Sequence, residues 1–389
     1  MTVGPLTGLR VLEFGQIAAG PFVGMLLADL GADVVKVERP DGGDGMRSWP
    51  PLIPGEDGEY SGNFASLNRN KRSIAIDLKD PDDLRRLLAL CSKADVVVEN
   101  FRPGVLTKLR LGYDDLSALN PGLVYCSLSG YGQHGPYASQ GAFDVTIQAA
   151  SGLMSVTGED TGGPTKCGVP VGDFTAGLYA AFSILAALRR RSDTGIGAAI
   201  DCSMLGSLLG VAALQTSEYF GTGRSPARLG SAHPRNAPYQ AYRAEDRFFV
   251  VAAGNEVLWQ KFCIVVGLPE LAADERFTPQ VRRAKNQKEL EAILAPVFLA
   301  RTADEWLADL IAEGIPCAPV NDFAAILADP HVASMDLLHE LMLPNGVQTK
   351  TVGFPVRISG YRFNISRMPP TLGQDTEIIM NEWLPLVMP

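Results

Sequence analysis

Arg10-Val11-Leu12-Glu13-Phe14, then Pro21 to Leu30, then Asp33-Val34-Val35-Lys36-Val37-Glu38: this stretch decides the fold. The outer segments are short and rich in Val and Leu, and the middle one is longer and apolar, so the three read as strand, helix and strand. Gly31 follows the helix where a C-terminal cap belongs. Strands joined by a helical crossover run parallel, which implies a doubly wound, Rossmann-like α/β sheet. Working outward, more strands are expected at Ser73 to Asp77, Asp95 to Glu99 and Val124 to Ser129, with a helix at Pro81 to Leu90.

The chain has 389 residues, more than one hydrophobic core usually serves, so two domains are expected. Residues 1–220 hold the α/β pattern. The Gly/Ser/Pro/Arg stretch Gly221 to Pro238 has the composition of a boundary or an ordered loop. Beyond it, Tyr239 to Arg243 and Arg247 to Ala253 read as a hairpin around Glu245 and Asp246. Helices are expected at Val257 to Val266, Gln287 to Ala300 and Ala303 to Glu313. That makes a smaller α+β domain over 221–329. The tail, 330–389, holds short strands at Thr349 to Val352 and Val356 to Ile358, broken by prolines, and pattern alone does not place it.

Hydrophobic residues make up 46% and charged residues 20%, values of a soluble globular chain. A net charge of −9 argues against nucleic-acid binding. Six scattered cysteines with no C-x-x-C pair suggest neither a zinc site nor a disulfide framework, and no metal is expected. Met1 to Leu12 lacks the marks of a signal peptide and no apolar run has the length of a membrane span, so a cytoplasmic location is expected. Phe174 to Leu188 reads as a buried helix whose end, Arg189 to Arg191, suits its dipole.

A dinucleotide-dependent dehydrogenase would place an acid at Glu38, but Gly15-Gln16-Ile17-Ala18-Ala19-Gly20-Pro21 lacks the G-x-G-x-x-G turn. No G-x-S-x-G occurs, and His134, His233, His331 and His339 sit in no catalytic frame. Asp173 differs in its setting. Gly168 to Gly177 passes from a Pro/Gly turn into the apolar helix, so Asp173 is expected at the N-cap. There the dipole and free N–H groups favour an ionised carboxylate, as a carboxylate nucleophile needs; a purely structural cap has the same pattern.

Arg10 to Phe14, Ala19-Gly20-Pro21, Leu27 to Glu38, Asn70 to Ile74, Val98 to Gly104 and Gly172-Asp173, in that order, resemble the class III CoA-transferases. The resemblance implies a Rossmann-like large domain completed by the C-terminal tail, a small domain, and a homodimer of interlocked subunits. It makes coenzyme A, as acyl-CoA, and a carboxylic acid the partners, and Asp173 the nucleophile. It lays CoA along Arg39, Lys79, Asn100, Phe101 and Lys108, with Lys71 and Arg72 nearby; cations suit its phosphates. It also makes Asp144 a second acid of the site. Gln16 follows the first strand, where ligands of such sheets bind. The family's glycine-rich loop corresponds to Ala252-Ala253-Gly254-Asn255, leaving Gly254 as its one glycine.

Formyl-CoA transferase has Gln where this chain has Ala18 and Tyr-Glu where it has Phe143-Asp144, so its substrate specificity does not carry over. The alternatives are an acyl-CoA racemase of the same superfamily, which places a His at Phe143 as one of two proton carriers, and a non-catalytic CoA-binding protein. Arg224, Arg228 and Arg235 are candidates for holding a second carboxylate of a dicarboxylic substrate.

Overall fold

Val11, Leu12 and Phe14 point to both faces of a sheet and all three are buried, which requires cover on both sides. The strand that carries them, β1 (Arg10–Phe14), accordingly lies inside a six-stranded parallel sheet. The computed structural model describes residues 4–384. After β1 come α1 (Ala19–Asp29), β2 (Asp33–Glu38), a hairpin of β3 (Leu52–Gly55) and β4 (Gly58–Ser61), α2 (Gly62–Asn68) and β5 (Arg72–Ala75). They are followed by α3 (Pro81–Cys91), β6 (Val96–Glu99), α4 (Val105–Lys108), α5 (Tyr113–Leu119) and β7 (Val124–Ser129). Next are α6 (Asp144–Ala150), α7 (Leu153–Val156), α8 (Val171–Thr194), β8 (Ala198–Ser203), α9 (Met204–Val211) and α10 (Ala213–Thr222).

The strand order is β5-β2-β1-β6-β7-β8, so the direction of winding reverses between β1 and β6. On one face Val11, Val34, Val96 and Val124 meet Val23 and Leu27 of α1 and Ala180 and Ile184 of α8. On the other, Leu12, Val35, Val97 and Tyr125 meet Leu87 and Leu90 of α3. α3 is well started: Asp80 accepts from the Asp82 and Asp83 N–H groups at 2.7 and 3.1 Å, with Pro81 in the first turn.

The chain divides into two compact units. One comprises Met1–Leu153, Cys167–Gly221 and Ala333–Pro389, the other Met154–Lys166 and Thr222–Val332. The segment 154–166 therefore joins the second unit, whereas the sequence reading left it in the large domain. The Gly/Thr/Pro-rich run Thr157 to Thr165 lies within that excursion.

The second unit holds an antiparallel sheet of β9 (Tyr239–Arg243), β10 (Phe248–Ala252) and, after four helices, β11 (Cys317–Pro319). The helices are α11 (Glu256–Val265), α12 (Gln280–Lys285), α13 (Gln287–Phe298) and α14 (Ala303–Ala312). Phe249, Trp259, Phe262, Phe298 and Trp306 fill its core. Thr302 and Glu305 form a capping box that starts α14. Two short helices, α15 (Phe323–Leu327) and α16 (Pro330–Ser334), follow.

The tail forms β12 (Leu338–Met342), β13 (Gln348–Val352) and α17 (Thr376–Trp383). α17 joins the first unit: Ile379 and Trp383 are buried with Leu87 and Leu90, and Ser73 and Asp375 exchange two hydrogen bonds of 2.9 Å. Val356 to Ile358, expected as a strand, makes only an isolated bridge between Ile358 and Tyr361.

Candidate functional site

Parallel strands end on one edge of a sheet, and side chains that follow them gather there. Gln16 follows β1, Arg39 follows β2, Lys79 lies beyond β5, and Asn100 and Phe101 follow β6. Across the reversal point the Gln16 N–H donates to Asn100 Oδ1 at 2.8 Å, and Asn100 Nδ2 donates to the Gln16 carbonyl at 2.9 Å. The loop between β1 and α1 closes tightly on itself: a Cβ on Gly20 would stand 2.8 Å from the Gly15 Cα and 3.3 Å from Asn100 Cγ. That accounts for the glycine in Ala19-Gly20-Pro21.

This crevice opens into a cavity of about 220 Å³ walled by Gln16, Ile17, Asn100, Phe101, Ser129, Gly130, Phe143, Asp144 and Asp173, among others. Five of the residues read from sequence as functional (Gln16, Asn100, Phe101, Asp144 and Asp173) thus meet in one place. Sequence reading missed Ile17, Ser129, Gly130 and Met204 as lining. Ser129-Gly130 ends β7, and the rule that ligands sit beyond the carboxyl ends of strands was signal enough to find it.

The structure corrects the setting of Asp173. The helix starts at Val171 with Pro170 as its cap, so Asp173 is the third residue of the first turn and does not cap it. Asp144 supplies that service: its Oδ1 accepts the Gly172 N–H at 2.7 Å, while its Oδ2 accepts from Gln148 Nε2 at 2.6 Å. Gln148 Oε1 in turn accepts the Cys167 N–H at 2.8 Å. A Cβ on Gly172 would come 2.9 Å from Asp144 Oδ1, so the glycine makes room for the second acid.

The expected ionisation is also corrected. Burial, with the neighbouring Asp144 charge added, pushes the Asp173 carboxyl up to about 7, against the helix dipole. A carboxyl so placed changes charge near neutral pH, a property suited to a reacting group.

Arg39, Lys79 and Lys108 are exposed along the strand-end side of the first unit, and Arg39 Nε donates to the Gly43 carbonyl at 3.1 Å. Lys71 and Arg72 have other partners and do not wall the cavity. Lys71 is sealed from solvent, 2.7 Å from Glu13 Oε2, and burial draws its ammonium below its ordinary range. Arg72 is held by Asp33 and, at 2.5 Å, by Glu382. A buried cation committed to a carboxylate is not available to a phosphate.

Gly254 belongs to the second unit, where its carbonyl accepts from Arg283 Nη2 at 3.0 Å and a Cβ would come 2.7 Å from Asn236 Cβ. Asn255 caps α11 through Leu258 N–H at 2.9 Å. Arg228 spends its guanidinium on the carbonyls of Glu159 and Gly162, at 3.2 and 2.7 Å. Among the described residues no group of three or more His, Cys, Asp or Glu is arranged for a metal ion.

Residues 6–376 match the family model described as CoA-transferase family III. The chain is 37% identical over 382 residues to the human succinyl-CoA:glutarate CoA-transferase, covering 98% of this chain and 86% of that protein. It is 38% identical over 381 residues to the succinate–glutarate CoA-transferase of Agrobacterium fabrum, covering 97% and 95%. A crystal structure of a CAIB/BAIF family protein from Brucella suis superposes with a TM-score of 0.88 at 39% identity, covering 98% of this chain and all of that one.

Proposed function

The chain belongs to CoA-transferase family III and is a class III CoA-transferase, and from that premise we propose that it moves CoA between dicarboxylic acids through a covalent intermediate on Asp173. The observation that carries the reading is Asp173 at the head of α8, opening into the crevice where β1 and β6 part.

A free carboxylate is a poor nucleophile towards a thioester unless it is held in place, and an enzyme carboxylate divides the transfer into easier stages. Ionised Asp173 attacks the donor thioester carbonyl, forming a mixed anhydride and expelling CoA thiolate. The thiolate then attacks the aspartyl carbonyl, releasing the donor acid and leaving an aspartyl-CoA thioester. The acceptor carboxylate attacks that carbonyl, forming a second anhydride and thiolate again. Attack of the thiolate on the acceptor's acyl carbon yields the new acyl-CoA and restores Asp173. No proton is gained or lost over the cycle. This suits a site whose acids, Asp173 and Asp144, need only charge and position.

Arg39, Lys79 and Lys108 are the cations assigned to the CoA phosphates, and Phe101 to its apolar parts. Asp144 positions the Asp173 turn and Gln16 meets the acyl group. Dicarboxylic substrates are supported by the succinate and glutarate in the relatives' names.

A homodimer is supported by α8, where Leu178, Phe182 and Leu185 recur on one face at exposures of 55, 71 and 38%. Val171–Thr194 is long and apolar enough to cross a bilayer. Its Ala180 and Ile184 nevertheless lie buried against the sheet. The cytoplasmic location rests on the sequence reading alone. The activity is tested by offering succinyl-CoA with a panel of carboxylic acids and following the CoA esters by mass spectrometry. New esters of dicarboxylic acids are expected, and none from any acid would refute the reading.

A further inference from the structure

Glu13 and Lys36 stand opposite each other on β1 and β2 and are fully buried, an unusual place for two charges. Lys36 Nζ lies 2.8 Å from Glu13 Oε1 and 2.9 Å from Asp44 Oδ2. Lys71 Nζ lies 2.7 Å from Glu13 Oε2, an ion-pair contact without hydrogen-bond geometry. Two carboxylates and two ammonium groups thus neutralise one another beneath the sheet edge. Although burial opposes it, the Glu13 and Asp44 carboxylates hold the Lys36 ammonium above its ordinary range.

Such a quartet is a poor way to stabilise a core, since each buried ion costs several kcal/mol and well-packed apolar side chains do as well or better. It does something apolar side chains cannot do. Three of its members reach the backbone of one segment, residues 15–21, which is the β1–α1 loop and the start of α1. Lys36 Nζ donates to the Gly15 carbonyl at 2.6 Å, and Lys71 Nζ to the Pro21 carbonyl at 2.7 Å. Asp44 accepts the Ile17 N–H on both oxygens, at 3.1 and 3.2 Å.

Ile17 has φ +65°, a left-handed conformation that strains a β-branched residue and persists only where its surroundings enforce it. Gln16 and Ile17 both wall the cavity of Asp173.

We infer that the buried quartet Glu13, Lys36, Asp44 and Lys71 sets the shape of the nucleophile's cavity, with Asp44 the positioning residue that holds Ile17 left-handed through its N–H. The inference rests on the reading of Asp173 as the reacting group. Asp44 is buried outside the cavity wall and acts through the loop. A reacting geometry displaced by an ångström loses about a hundredfold in rate, so a loosened loop is read in kcat.

Two variants of the full chain separate positioning from charge. Asp44→Asn keeps an oxygen for the Ile17 N–H and loses the charge; Asp44→Glu keeps the charge and displaces the oxygen. Both are measured for kcat, for KM towards acyl-CoA, and for backbone amide exchange across residues 15–21. Positioning predicts that Asp44→Asn retains at least a third of kcat and its amide protection. It predicts that Asp44→Glu loses tenfold or more in kcat, with KM within threefold and exchange raised in that loop. Equal losses, the reverse order, or failure of Asp44→Asn to fold would overturn the inference, because each would show that the oxygen facing the Ile17 N–H is not what distinguishes a working loop from a failed one. If the unaltered chain transfers no CoA, the functional reading fails by itself, and the exchange measurement still decides whether Asp44 holds the loop.

Discussion

Asp144 accepts the Gly172 N–H through Oδ1 at 2.7 Å, so the second acid of the cavity is tied to the residue immediately before Asp173. One carboxylate therefore does two things to its neighbour. It fixes the turn that presents Asp173, and its charge adds to burial in raising the Asp173 carboxyl to about 7. The same carboxylate thus fixes the geometry and adds to the proton affinity that burial mainly sets.

A pH dependence follows. Attack requires ionised Asp173, so the transfer rate should rise as pH climbs through about 7. Asp144→Asn keeps an oxygen for Gly172 and removes the charge, and should move that limb to lower pH. A limb that stays in place in a pH–rate profile of this variant would show that Asp144 does not govern Asp173.

Stability carries the same signature with a definite sign. Between about pH 4 and pH 7 the folded chain keeps a proton on Asp173 that the unfolded chain has lost, so this side chain's contribution falls as pH rises across that window. Asp173→Asn removes the effect. The variant should be more stable than the parent at pH 8, by roughly 1–2 kcal/mol given the side chain's partial solvent access, and by much less at pH 4. Denaturant melts at the two pH values check this; a gain independent of pH would contradict it.

The fold was largely legible because buried parallel strands are written as apolar runs: β2 and β7 have the bounds expected from sequence, and β1 its own. The tail was not, since α17 is held by Ser73 and Asp375, a pairing 302 residues apart that no local pattern encodes. Asp173 stood out by its setting and took the role of nucleophile from the resemblance, Asp144 came from the resemblance alone, and their mutual arrangement was not legible. An N-cap expected at Asp173 is filled by Pro170, and the free N–H of Gly172 is met from another helix. Lys71 and Arg72 looked like phosphate ligands because sequence shows charge and not burial. Glu13 and Lys36 gave one usable sign, opposite charges at matched positions of neighbouring strands.

Gly24 tests how tightly the quartet is built. In an exposed helix, replacing a glycine by alanine gains about 1 kcal/mol. Here the added methyl would overlap the Glu13 carboxylate and meet Lys71 Cε at 3.3 Å. The clash with a buried ion pair should win, and Gly24→Ala should destabilise the chain by about 3 kcal/mol or more. A melt showing equal or higher stability would mean the carboxylate has room to move.

The uncovered apolar face of α8, with Leu214 and Phe220 of α10 exposed at 64 and 81%, predicts a homodimer. Sedimentation at micromolar concentration should find two chains together, and Phe182→Asp should shift the balance towards monomer. A stable, active monomer would contradict the assignment.

The covalent role of Asp173 is tested most directly by trapping. Incubated with an acyl-CoA and no acceptor, the chain should carry an activated aspartyl group, which hydroxylamine converts to a hydroxamate of fixed added mass on the peptide holding Asp173. Asp173→Asn should give no such peptide and no transfer while still binding CoA. A racemase moves only protons, and a passive binder does no chemistry. The account predicts the labelled Asp173 peptide from the unaltered chain. An unlabelled peptide, together with solvent deuterium at the α-carbon of the recovered acyl-CoA, would contradict it.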